Sequence, residues 1–226
     1  MKDAAQLQRR VVLQMAAALA MAGVREAWAG SYEDFFTAVR KDDAAAIQSL
    51  LKRGFDPNTL DPQGLTGLLL AVREGMQNAA KALINWPKTD VEIRNAQDES
   101  PLMMAVFKGH HDLARLLVEK GGDVNKTGWT PLHYAATKGD LAMIELLLDN
   151  HAYIDAESPN KTTPLMMAAM YGSTSAVKAL LEAGADPNLK NEQGLGAIDF
   201  AHKVNRKDAA DIIAAFVRAQ QPRGKW

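Results

Sequence analysis

Histidine is the residue type in this 226-residue chain that most readily suggests chemistry. His110, His111 and Asp112 follow one another directly, and imidazole and carboxylate groups are common metal ligands. Adjacent side chains diverge at the start of a helix, so these three do not converge on one ion. We therefore expect no metal site here and assign the segment to a turn between two helices.

Two methionine pairs offer a second chemistry, because thioether sulfur binds copper. The pairs are Met103 with Met104 and Met166 with Met167. Both occupy places where a pattern that recurs along the chain has leucine or the pair of His133 and a tyrosine, so adaptable core packing is the better explanation. A metal-handling protein or an enzyme that uses these histidines and methionines is kept as the alternative from a different functional class.

Other catalytic chemistry finds no support. The chain has no cysteine, which excludes thiol catalysis, disulfides and thiolate metal sites and makes the chain safe in an oxidising compartment. Gly121 and Gly122 lack the strand and phosphate-loop context of a nucleotide site. The net charge of −1 gives no long-range attraction to nucleic acid. We expect a non-catalytic protein with no cofactor, no metal and no nucleic-acid partner.

The first 29 residues have the composition of an export signal. Lys2, Arg9 and Arg10 precede an apolar run at 11–24, and Ala29 is the second small residue of a cleavage site. The run is shorter than the ~20 residues that a membrane-spanning helix needs. We predict a signal peptide at 1–29, cleavage between Ala29 and Gly30, and a periplasmic or secreted product without a stable membrane anchor.

The sequence is compatible with more than one export route. Arg9 and Arg10, followed by two apolar residues, partly match the twin-arginine motif, but the general secretory route fits nearly as well. An uncleaved amphipathic first helix is the third interpretation. Cleavage removes four basic and two acidic residues, which changes the net charge from −1 to −3.

The element that positions these residues is a repeat. Residues 128–136 read Gly-Trp-Thr-Pro-Leu-His-Tyr-Ala-Ala, and degenerate copies of this segment recur on both sides of it in the chain. The first apolar residues of the clear copies are spaced by 34, 30, 33 and 33 positions. They are Leu68, Leu102, Leu132, Leu165 and Ile198. A period of about 33 residues is the signature of a stacked-repeat architecture.

Each repeat predicts two helices. A capping hydroxyl and a proline, as in Thr130 and Pro131, begin the first helix, and a glycine such as Gly139 or Gly172 ends it. A second helix follows with apolar residues at helical spacing.

The ends of the second helices are also marked. In three repeats a glycine provides the left-handed conformation that ends the helix, at Gly54, Gly121 and Gly184. His151 holds this place in the fourth repeat, where we expect strain or a different turn. In the second repeat a proline follows Trp86, and we expect the helix to stop at Trp86.

Residues 128–136, with Gly139 and Asp140 and the leucines at 146–148, closely resemble an ankyrin repeat, and residues 181–188 resemble the end of one. The resemblance covers about 31–220 and recurs five or six times in register. It implies an all-α ankyrin-repeat solenoid of about six helix-turn-helix units joined by short β-hairpin fingers. We number the units 1 to 6, at about 31–62, 63–97, 98–126, 127–160, 161–193 and 194–220. The connection between units 3 and 4 is three residues short, which should truncate one finger, and 221–226 form a tail.

The resemblance further implies that the concave face binds another protein. Carried onto this chain, the exposed inner positions and the residues just before the helix caps form the predicted partner-binding set: Arg73, Glu99, Phe107, Lys108, Trp129, Thr137, Lys138, Thr162, Met170 and Tyr171. We expect its core at the large side chains in consecutive units, Phe107, Trp129, Met170 and Tyr171, because aromatic residues flanked by lysine are typical of interfaces. The alternative is that Phe107 and Trp129 only complete the fold.

The sequence therefore predicts an exported, monomeric, non-catalytic protein-binding module. The runner-up is an immunity or accessory protein that neutralises or stabilises a particular exported enzyme.

Overall fold

The structure, a computed structural model, describes residues 30–220. The expected signal peptide with Arg9, Arg10 and Ala29, and the tail at 221–226, lie outside the described residues. Gly30, the expected first residue after cleavage, lies in the first helix. Within 30–220 no helix combines the length and the apolar character needed to cross a bilayer.

Residues 30–220 form twelve helices and no strand, and one isolated antiparallel bridge joins Leu60 to Thr66. The all-α fold of six helix pairs is confirmed, and the fingers are turns with almost no β-structure. The pairs are α1 (30–40) with α2 (Ala44–Lys52), α3 (Gly67–Glu74) with α4 (Gln77–Ile84), α5 (Pro101–Lys108) with α6 (His111–Glu119), α7 (Pro131–Lys138) with α8 (Leu141–Asp149), α9 (Pro164–Tyr171) with α10 (Thr174–Glu182), and α11 (Ala197–Lys203) with α12 (Lys207–Gln220).

The helix pairs stack in two rows. The first helices α3, α5, α7, α9 and α11 each contact the next one, and the second helices from α2 to α12 do the same. We call the first helices the inner row and the second helices the outer row. The inner row packs on one small residue per unit, and all five are fully buried: Ala71, Ala105, Ala135, Ala168 and Ala201. No unit covers its own apolar face, so each is stabilised by its neighbours.

The paired methionines explain how the inner helices begin. In unit 4 the Thr130 backbone N–H donates to His133 Nδ1 at 3.1 Å. Met103 Sδ accepts the same bond from Ser100 at 3.5 Å, and Met166 Sδ accepts it from the cap of α9, also at 3.5 Å. Methionine therefore replaces histidine in the reciprocal cap of the helix, and the first methionine of each pair is a buried framework residue.

The predicted ends of the outer helices are mostly confirmed. Gly54, Gly121 and Gly184 have φ of +98°, +91° and +103°, and His151 adopts the same left-handed region at φ +65°. Helix α4 ends at Ile84, two residues before the expected Trp86. The reason is local, since the Asn85 amide caps the last turn by donating to the Lys81 carbonyl at 2.9 Å.

Unit 5 ends its inner helix in a different way from its neighbours. Gly172 has φ −76° and ψ −162°, which is extended and not the left-handed turn found at Gly139. The Arg206 guanidinium, from the turn between α11 and α12, donates to the carbonyls of Gly172 at 2.5 Å and Ala168 at 3.1 Å. A cation thus satisfies the helix-end carbonyls that the glycine turn normally satisfies.

The fingers are short closed turns. Between units 1 and 2 the Asp61 N–H donates to the Leu65 carbonyl at 2.8 Å, and between units 5 and 6 the Asn191 N–H donates to the Leu195 carbonyl at 3.0 Å. Residues 126–129, between units 3 and 4, make no such closing bond within the described chain. The truncated finger predicted from the spacing is therefore confirmed.

Candidate protein interface

A cavity of about 220 Å³ opens on the inner row between units 3 and 5. Helices α5, α7 and α9 and the end of the shortened finger supply its walls. The lining residues are Phe107, Trp129, His133, Tyr134, Thr137 and Met167. Small-molecule sites usually have volumes of about 300–1,000 Å³, so this cavity has the size of a recess for one side chain.

Two ring pairs shape the cavity. Phe107 and Tyr134 meet edge to face, with centroids 5.7 Å apart and planes at 85°. Trp129 and His133 meet in the same way at 5.2 Å and 73°. These are attractive aromatic geometries, so the rings are held in place before any partner arrives. Phe107 nevertheless remains 43% exposed, which leaves much of its apolar surface uncovered.

His133 fixes the floor of the cavity and stays neutral. Its Nδ1 accepts from the Thr130 N–H, and its Nε2 donates to the Thr162 carbonyl of unit 5 at 2.8 Å. Burial lowers the pKa of His133 to about 4, because desolvation disfavours the imidazolium. His133 therefore hydrogen-bonds between repeats, and its ring has no free nitrogen for other chemistry.

Tyr134 brings a partly buried polar contact to the rim. Its hydroxyl donates to Glu99 Oε1 at 3.4 Å, and Glu99 Oε2 accepts from the Asn95 amide at 2.7 Å. Burial and the nearby carboxylate raise the pKa of Tyr134 to about 12, so the hydroxyl stays protonated. Both oxygens of Glu99 are engaged within the fold.

The opposite rim is basic. Lys138 Nζ lies 5.2 Å from the centroid of the Phe107 ring, a cation–π contact that holds the ammonium beside the cavity. Lys108 is exposed at the end of α5. Within residues 30–220 neither lysine forms an ion pair with a carboxylate.

A second concavity of about 580 Å³ lies beside the shortened finger and shares Trp129 with the first. Lys126 belongs to this finger and is nearly fully buried. Its ammonium pairs with Asp98 and donates to the Thr127 carbonyl at 3.1 Å. The Lys126 hydrogen bond lowers the pKa of Asp98, so this carboxylate stays ionised at neutral pH. Trp129 therefore stands between two recesses.

The predicted partner-binding residues separate into groups. Phe107, Trp129 and Thr137 line the cavity and Lys138 contacts its rim. Tyr171 is 57% exposed, but neither it nor Met170 lines the cavity. Arg73 lies in another concavity at unit 2 and is paired with Glu74 at 2.9 Å.

Thr162 is a correction. It was expected to be exposed before the cap of α9, but it is only 2% exposed. Its N–H donates to the Ser158 hydroxyl at 3.0 Å, and its carbonyl accepts from His133. Because both backbone groups join units 4 and 5, the residue is held inside the framework and offers no surface to a partner.

Two lining residues, Tyr134 and Met167, were not among the predicted site residues. Met167 was assigned to core packing with the other paired methionines, and Tyr134, at the same repeat position, was given no role. The phenol of Tyr134 was the signal that could have identified it. Units 2, 3 and 5 carry leucine or methionine at this position, whereas a tyrosine needs a partner for its hydroxyl, and Glu99 provides it.

The histidine pair is divided between separate contacts. His111 Nε2 lies 2.6 Å from Asp140 Oδ2, whereas the His110 ring packs near Gly75. Residues 30–220 contain no group of three or more histidine, aspartate or glutamate side chains placed to hold a metal ion.

Stacked helix pairs with reciprocal caps, closed fingers and a recessed inner face define a helical-repeat binding protein. The chain belongs to the ankyrin repeat family. The family model described as "Ankyrin repeats (3 copies)" matches residues 35–127, 87–158, 123–191 and 154–216. Ankyrin repeat domains are generally non-catalytic protein-interaction modules.

Curated relatives share the repeats and extend well beyond them. The chain is 33% identical over 165 residues to the nuclear factor NF-kappa-B p105 subunit of Gallus gallus, covering 70% of this chain and 17% of that protein. It is 31% identical over 152 residues to the B-cell lymphoma 3 protein homolog of Mus musculus, covering 64% of this chain and 34% of the relative. The chain thus spans 17% and 34% of these proteins' lengths.

Bacterial structures match the described fold over nearly their whole length. An ankyrin repeat domain from Acinetobacter baumannii superposes with a TM-score of 0.72 at 25% identity, covering 81% of this chain and 97% of that domain. A chain in the complex of a predatory endopeptidase from Bdellovibrio bacteriovorus with an immunity protein superposes with a TM-score of 0.71 at 27% identity, covering 80% and 97%.

Proposed function

We propose that this protein is an exported module that binds another protein through the inner row of units 3 to 5. The observation that carries the proposal is the aromatic cavity, in which Phe107 is 43% exposed although an edge-to-face contact with Tyr134 holds its ring in place. Interface anchors are typically aromatic side chains that bury their surface in or around such recesses. A cavity of about 220 Å³ suits one inserted side chain better than a cofactor or substrate.

The test is affinity capture from the cell envelope with the chain from residue 30 onward. The variant carries Phe107→Ala and Tyr171→Ala, and the control is Tyr153→Ala, which removes an aromatic side chain that is 69% exposed and lies outside the cavity. A partner, identified by mass spectrometry, should be retained by the parent chain and the control and lost by the double variant. Equal capture by all three proteins would contradict the proposed surface.

A second candidate function is immunity or accessory protection of an exported enzyme. It is favoured by the likeness to a chain in the complex of a predatory endopeptidase with an immunity protein. If it holds, the captured protein should be an enzyme whose activity changes on stoichiometric addition of this chain. Capture of a protein that is not an enzyme would support the general binding role and contradict the immunity or accessory role.

Export is proposed from the composition of residues 1–29. Intact-mass measurement on protein from the envelope fraction should give a chain that begins at Gly30. A full-length mass would contradict cleavage, and replacement of both Arg9 and Arg10 by lysine should block export only if the twin-arginine route is used.

A further inference from the structure

The charges at the ends of the inner helices differ between units. The repeat places Arg73 and Glu74 of unit 2 at the same positions as Phe107 and Lys108 of unit 3. In unit 2 the two charges compensate each other at 2.9 Å. In units 3 and 4, Lys108 and Lys138 have no carboxylate partner among the described residues. The aromatic cavity is therefore flanked by two uncompensated positive charges.

The cavity itself favours an apolar occupant over a cation. The Lys138 ammonium already lies at the ring of Phe107, so a second cation at this ring would be repelled. The two carboxylates near Tyr134 that could balance a cation are both engaged, Glu99 by Tyr134 and Asn95 and Asp98 by Lys126. The remaining wall consists of carbon and the thioether of a methionine, which accommodates varied apolar shapes.

We infer that the cavity takes one large apolar side chain from an acidic segment of the partner protein, with carboxylates next to that side chain pairing with Lys108 and Lys138. The inference rests on the proposed function and adds the chemistry of the partner. The Lys138 ammonium is already held in place by Phe107, so less side-chain freedom is lost when it meets a carboxylate. Such a contact sets specificity and salt dependence at a surface whose anchor is apolar.

The probe is a display library of random short peptides, selected on the chain from residue 30 onward. Bound peptides should combine a large apolar residue with neighbouring aspartate or glutamate. Lys108→Glu together with Lys138→Glu should weaken them about tenfold, because each partly exposed ion pair contributes less than about 1 kcal/mol and reversal adds repulsion. The control Lys120→Glu reverses one lysine at the end of the outer helix α6, which equals the charge change of Lys108→Glu alone, and should leave affinity unchanged.

Lys108→Glu alone separates charge from the aromatic contact, because only Lys138 lies over Phe107. Helical circular dichroism checks that each variant is folded. A new selection on the doubly reversed chain should enrich basic peptides with the same apolar anchor.

The outcomes distinguish the two levels of the proposal. Peptides that require Phe107, judged by Phe107→Ala, but bind the reversed chain equally well would overturn the acidic partner and leave the protein-binding surface intact. Peptides that bind regardless of Phe107, or no enriched peptide at all, would overturn both.

Discussion

The same repeat serves different purposes in two regions, the inner face at units 3 and 4 and the joint between units 5 and 6. In units 3 and 4 the inner helices close on Gly109 and Gly139 in the left-handed conformation, and the preceding side chains, including Phe107, are left at the surface. In unit 5, Gly172 is extended and Arg206 closes the helix from the next unit. The first region keeps unsatisfied surface for a partner, whereas the second uses its polar groups to hold the stack together.

The largest expected effect is at Gly172, which packs against unit 4 on one side and accepts the Arg206 hydrogen bond of the joint on the other. A Cβ on Gly172 would lie 2.3 Å from the Ala136 carbonyl oxygen of unit 4, so Gly172→Ala forces units 4 and 5 apart and should cost about 3 kcal/mol of unfolding free energy. The matched control is Gly109→Ala, which has open space but φ of +73° and should cost about 1 kcal/mol. Urea unfolding of both variants measures the difference. Equal losses would mean that close packing is no more demanding at the joint than at the inner face.

The second prediction uses pH to separate the two regions. The pKa of His133 is about 4 in the folded chain and about 6.5 when unfolded, so the unfolded state binds more protons between these values. The contribution of neutral His133 to the unfolding free energy is fully present above pH 6.5. It is lost as the pH falls towards 4, by up to about 3 kcal/mol.

The chain offers a control for this prediction, because Met166 replaces His133 in the equivalent cap of unit 5. His133→Met should remove the loss of stability between pH 6.5 and 4, at the expense of the hydrogen bond to the Thr162 carbonyl. Urea unfolding across this range compares the two chains, so that other titrating groups cancel. Parallel pH curves would show that His133 does not titrate as its burial requires.

The third prediction removes the cation from the joint. Arg206→Met keeps much of the aliphatic stem but loses the charged hydrogen bonds to the end of α9, and should cost about 2 kcal/mol of unfolding free energy. Asp208→Asn is the control, because its pair with Arg206 is 3.5 Å long and largely exposed and should contribute less than about 0.5 kcal/mol. Peptide or partner binding should be unchanged in both variants. Weaker binding by Arg206→Met would show that the joint between units 5 and 6 also contributes to binding at the inner face.

Much of the fold follows from the repeat period, because the capping residues, the buried alanines and the helix-ending glycines all recur in register. The extended backbone at Gly172 could not be predicted, since this glycine occupies the same repeat position as Gly139. The residue that replaces the left-handed turn, Arg206, comes 34 positions later in the chain. Repetition specifies what the units share, and contacts between particular units decide where they depart from it.

The site was predictable in the same partial way. Phe107 and Trp129 were found because the resemblance to ankyrin repeats assigns them to exposed positions. Tyr134 was missed because its contacts with Phe107 and Glu99 come from another unit. Thr162 was wrongly predicted to be exposed, because the exposure of its position depends on the finger that closes over it. In that finger the Ser158 hydroxyl accepts a hydrogen bond from the Thr162 N–H.

The most direct test of the central claim, that the aromatic inner face is surface for a partner and not part of the packed core, is the unfolding free energy of Phe107→Ala beside that of Leu102→Ala. Leu102 is fully buried at the start of the same helix, and its loss should cost about 2–5 kcal/mol. Phe107→Ala should cost no more than about 1 kcal/mol, because the ring is 43% exposed. A loss at Phe107 as large as that at Leu102 would show that the ring serves the fold and would contradict the proposed interface.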